Sequence, residues 1–135
     1  MTTPGNRGFI DEVARAPHTI LPDALSRKPK APVVEIFRKK RVFTDGTTTV
    51  ELHDIGPTSH ATELVMAYLP KEKLIFQGDL IIPPAAGQLP PANTLTAEFL
   101  ERIESLGLDV QTIAGVHGRV VTIDELRSAV ARRGR

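Results

Sequence analysis

Two apolar, β-prone runs, Glu63-Leu64-Val65-Met66-Ala67-Tyr68-Leu69 and Leu74-Ile75-Phe76-Gln77, are separated only by Pro70-Lys71-Glu72-Lys73, and the second runs directly into Gly78-Asp79. So short a turn between two such runs predicts an antiparallel hairpin, and its apolar character predicts deep burial. Upstream, Val33-Val34-Glu35-Ile36-Phe37 and Arg41-Val42-Phe43 flank Arg38-Lys39-Lys40. Asp45-Gly46 then leads to Thr47-Thr48-Thr49-Val50-Glu51-Leu52-His53-Asp54-Ile55. Glycine tolerates the positive φ of a tight turn, so Asp45-Gly46 marks a second, less apolar hairpin.

Beyond the buried hairpin, Pro83-Pro84 and Pro90-Pro91 bound a stretch that cannot continue a ladder and reads as a loop over the sheet rim. Leu95, Phe99, Leu100, Ile103 and Leu106 then recur at helical spacing, with Gly107 where a C-cap belongs. A strand is expected over Val110-Gln111-Thr112-Ile113-Ala114. A closing helix follows, opened by the capping box Thr122-Ile123-Asp124-Glu125 and striped by Ile123, Leu126, Ala129 and Val130. The order is hairpin, hairpin, helix, strand, helix. It specifies an α+β fold with one mostly antiparallel sheet, two hairpins plus a strand-helix-strand unit, covered by helices on one face. Residues 1–32 read as a poorly organised N-terminal segment with one short helix, Gly8 to Ala16, stopped by Pro17. Residues 33–135 carry the fold.

The 135 residues suffice for one compact core. No apolar run approaches the roughly 20 residues of a bilayer helix, which excludes a membrane span of that kind. A net charge of +1 argues against general nucleic-acid binding. The opening Met1-Thr2-Thr3-Pro4-Gly5-Asn6-Arg7 has no secretion-signal pattern. The expectation is a soluble protein, cytoplasmic by default and periplasmic if a parent was secreted. With no cysteine, any metal must be held by His, Asp, Glu and water.

Three residues of that kind stand in turn-like contexts: His60 in Gly56-Pro57-Thr58-Ser59-His60, Asp79 in Gly78-Asp79, and His117 in Gly115-Val116-His117-Gly118. His60 precedes one strand of the buried hairpin and Asp79 follows its partner, so both belong at one sheet end. If the strands on either side of the long helix are parallel neighbours, His117 joins that rim too. Imidazole and carboxylate suit zinc, and also iron and manganese. The bland alternatives are a capping histidine, an Asp-Gly turn former and a surface loop. Glu63 is a candidate second partner near His60.

Between about Val33 and Val130, these motifs resemble, in order and spacing, the C-terminal half of the metallo-β-lactamase-fold hydrolases. The Tyr68–Asp79 stretch, with its strand, Pro-x-x-x turn, buried strand and Gly-Asp, is the specific part. The resemblance implies half of an αββα sandwich with a one- or two-metal rim site, normally zinc. There His60 would join the first metal, Asp79 would bridge, and His117 would join the second. A metal-bound hydroxide in such enzymes attacks an ester, amide, thioester or phosphodiester. The family's His-x-His-x-Asp-His motif, which belongs to the N-terminal half, is not in these residues, and His18 and His53 are the only other histidines.

The resulting expectation is a truncated hydrolase with a remnant metal site and weak or no activity alone. One alternative is an active hydrolase of small-molecule substrates completed by a homodimer or by a complementary N-terminal half, with Asp79 the central catalytic ligand. Another is a non-catalytic binding module using Arg38-Lys39-Lys40-Arg41 and Arg132-Arg133-Gly134-Arg135.

Overall fold

The computed structural model describes residues 1–15, 20–21 and 24–134. The expected helix stop at Pro17, the neighbouring His18 and the terminal Arg135 lie outside them. The chain divides into two compact units, Met1–Arg38 and Lys39–Arg135.

The first unit holds α1 (Arg7–Arg15) and the single turn α2 (Ala24–Arg27). Thr2 makes an isolated parallel bridge with Ile36, through Thr2 N to Glu35 O at 2.9 Å and Phe37 N to Thr2 O at 3.0 Å. The strand expected at Val33–Phe37 is thus reduced to one bridge. Two local features limit it: Pro32 offers no N–H, and Lys39 turns at a φ of +63°, where an extended run breaks.

The second unit is a six-stranded sheet: β1 (Lys40–Thr44), β2 (Thr49–Asp54), β3 (Val65–Leu69), β4 (Leu74–Gln77), β5 (Thr112–Gly115) and β6 (Val121–Thr122). Its spatial order is its chain order, antiparallel throughout except where β4 pairs with β5 in parallel. Both hairpins and the parallel strand-helix-strand unit are as the sequence specifies. The two-residue β6 has too little pattern to be read beforehand.

Period-two alternation separates the faces. Met66, Tyr68, Ile75, Gln77, Ile113 and Val121 share one face and are buried. All but Gln77 form the core with Phe99, Leu100 and Ile103 of α3 (Thr94–Ser105) and Leu126 and Ala129 of α4 (Ile123–Ala131). The Tyr68 hydroxyl ends on the Asp109 carbonyl at 2.9 Å, which satisfies the one polar atom on that ring. Phe43, Val65 and Phe76 point from the opposite face and are exposed.

Local chemistry fixes the helix ends. Asn93 caps α3 by accepting from Thr96 N at 2.8 Å, and Gly107 leaves that helix at a φ of +63°. Thr122 and Glu125 form the expected capping box on α4. Among the described residues no helix is long and apolar enough to cross a membrane.

Candidate functional site

Because β4 and β5 are parallel and Gln77 lies level with Gly115, the turns that follow them leave the sheet at one end. Gly78-Asp79 leaves one strand and Val116-His117-Gly118 the other. His117 Nε2 stands 3.4 Å from Asp79 Oδ1, and about half of each side chain faces solvent. The His117 turn is shaped by Gly118, at a φ of +78°. A Cβ there would run into the carbonyl oxygen of Pro83, so the proline-bounded loop packs directly against this turn. Arg119 continues the contact by donating to Gly87 O at 2.8 Å and to Glu125.

His60 lies in the loop between β2 and β3. Continuing the β3–β4 register sets Val65 level with Gly78, so this loop enters at the sheet end from which Asp79 leaves. Thr58 organises it, its hydroxyl accepting from His60 N at 3.2 Å and Ala61 N at 3.3 Å. Helix α3 holds it from outside: Glu98 accepts from Ser59 N and Oγ at 2.8 and 2.9 Å, and Arg102 donates to Pro57 O at 3.0 Å. These bonds, the Ser59 N–H first, hold the Glu98 carboxyl below its ordinary range.

Sequence reasoning missed Glu98 and Arg102. Spaced i, i+4 on the polar side of α3, they read as a solvated face, and only the folded loop reveals their acceptors and donors. Glu63, the acidic neighbour of His60 in sequence, is half-buried in the same loop.

Among the described residues no three His, Cys, Asp or Glu side chains stand close enough to hold a metal ion. The structure therefore joins Asp79 to His117 and does not draw His60 into one ligand group with them. His53 is engaged elsewhere, buried on β2 with Nε2 2.8 Å from Glu51 and its ring edge-on to Tyr68. One imidazole and one carboxylate fall short of the three protein ligands of a catalytic zinc. Beside Asp79 opens a small recess of about 150 Å³, walled by Leu80, Ile81, Leu89, Ala92 and Thr96.

No protein-family model matches the sequence, and no curated protein matches it significantly. Solved structures do. A metallo-β-lactamase from Pontibacter korlensis superposes with a TM-score of 0.54 at 20% identity, over 79% of this chain and 51% of that one. The fold is half of a metallo-β-lactamase fold.

Other solved structures match over a similar share of this chain. An archaeal metallo-β-lactamase superfamily protein from Sulfolobus tokodaii matches with a TM-score of 0.53 at 16% identity, over 72% of this chain and 38% of that one. A stereoselective inverting sec-alkylsulfatase from Pseudomonas sp. matches with a TM-score of 0.50 at 19% identity, over 75% of this chain and 17% of its own. The chain thus spans about half, or less, of the length of these solved structures.

Proposed function

We propose that these residues form one half of a metallo-β-lactamase-fold hydrolase with a remnant metal site, weakly active or inactive alone. The observation that carries this reading is the Asp79–His117 contact at the ends of two parallel strands, with no third described ligand beside it. Those two would be the ligands, and zinc is the metal their chemistry and the fold suit best, with iron or manganese as alternatives. His60 would belong to the complete site only after its loop, or the metal, moved.

The reading is tested by loading the dialysed chain with zinc and assaying ester and lactam hydrolysis. Turnover indistinguishable from free zinc is expected, and efficient turnover by the isolated monomer would overturn it.

A second reading completes the site from another half, and the exposed apolar face bearing Phe43, Val65 and Phe76 favours it. Such a face ordinarily marks an interaction surface. Its occupant would be a second copy or a complementary N-terminal half, and the substrate a small molecule.

The binding-module reading is weakened by where the cations go. Lys40 pairs with Glu51 at 3.1 Å and Arg41 lies over the Phe43 ring. Arg132 donates to Leu89 O at 2.6 Å, and Arg133 to Thr94 at 3.1 Å.

A further inference from the structure

Gln77, the last residue of β4, is only 1% exposed, although Asp79 two positions on faces solvent. Its amide accounts for the burial. Oε1 accepts from Leu80 N at 2.8 Å and Ile81 N at 3.4 Å, while Nε2 donates to Ile81 O at 3.0 Å. The turn that carries Asp79 is thus closed around one side chain.

The main chain of the same residue faces the other turn, its carbonyl accepting from Val116 N at 3.3 Å. Opposite it stands Gly115, where a Cβ would lie 2.5 Å from Gln77 Nε2. Glycine at that position leaves the room the amide occupies.

We propose that Gln77 is a positioning residue that sets the separation of Asp79 and His117. The inference rests on reading that pair as remnant ligands. Its side chain holds the Asp79 turn and its carbonyl the His117 turn, so two loops far apart in sequence are referenced to one rigid strand end. Packing alone would be met by an apolar residue of the same size. Such a residue would take from Leu80 N, Ile81 N and Ile81 O the partners that the buried amide supplies, a loss the turn relieves by opening.

The test compares Gln77→Met, Gln77→Glu and Gly115→Ala with the wild-type chain. Crystallography reads the Asp79–His117 separation, and titration reads Zn²⁺ affinity. In Gln77→Met the two side chains move out of contact and Zn²⁺ affinity falls roughly tenfold or more, as when an outer partner of a ligand is lost. Gln77→Glu keeps the acceptor for the Leu80 and Ile81 N–H groups but turns a second acceptor toward Ile81 O, so it opens the turn less than Gln77→Met and recovers only part of the affinity. Gly115→Ala displaces the amide from the neighbouring strand and reproduces the opening; it decides the question if Gln77→Met does not fold. A folded Gln77→Met or Gly115→Ala chain with the pair unmoved overturns the proposal, whatever its melting temperature. A wild-type chain with no Zn²⁺ affinity overturns the metal reading instead, and the separation still decides the role of Gln77.

Discussion

The His117 imidazole and the Asp79 carboxylate meet at 3.4 Å from the ends of two parallel strands, β5 and β4, with the whole of α3 between them in sequence. Their proximity is a property of strand direction, because parallel neighbours deliver their carboxyl ends to one rim.

Asp79→Ala and His117→Ala should each weaken Zn²⁺ binding by at least the 10–100-fold that losing an outer partner typically costs. His60→Ala should weaken it less, since His60 is outside the pair's group among the described residues. Calorimetric titration of the three variants checks the ranking. An equal loss at His60 would mean that its loop closes on the metal.

Gly118→Ala should destabilise the chain by more than the ~1–2 kcal/mol of the left-handed conformation alone. The added methyl also meets the Pro83 carbonyl. Gly56→Ala is the control, with a φ of +69° and open space around its Cβ position, so that only the conformational cost applies. Urea denaturation of both variants measures the difference.

Arg119 and Thr122 give the chain an acid-sensitive joint. A hydrogen bond from Arg119, then one from the Thr122 N–H, hold Glu125 at about 2 against an ordinary value of 4.5. A carboxylate whose folded value is depressed adds stability above its unfolded value, and that stability is lost as pH falls through the folded one. The stability gap between wild type and Glu125→Gln should therefore be full above pH 4.5 and shrink toward pH 2. Thermal melts across that range read it. Thr122→Ala, which removes the other half of the capping box, should cost about 1 kcal/mol.

Phe76→Lys places a charge on the exposed sheet face without touching the helix-covered core. If that face binds a second copy, the substitution should shift the chain to monomer in light scattering with little change in melting temperature. An unaltered association state would move the interface elsewhere.

Much of this was legible because local rules agreed with the fold. The Pro70–Lys73 turn, the helix of Leu95 to Leu106 closing at Gly107 and the Thr122 capping box each stand where residue chemistry predicts. The meeting of Asp79 and His117 was conditional on β4 and β5 being parallel neighbours, and the structure meets that condition. What stayed hidden was non-local. The strand expected over Val33–Phe37 is reduced to one bridge, and Lys39 just beyond it takes a positive φ that no periodicity announces. The hold of Glu98 on Ser59 and of Gln77 on the Asp79 turn depends on loops whose path no periodicity encodes. The placement of His60 depends on the same loop geometry, which is why its shared sheet end could be inferred and its membership of a ligand group could not.

If this half of the fold carries part of a metal site, the zinc retained per chain after exhaustive dialysis, measured on the monomer, will be small. Weak binding of at most one ion, abolished by Asp79→Ala, is expected; two tightly held zinc ions per monomer would show a complete site instead.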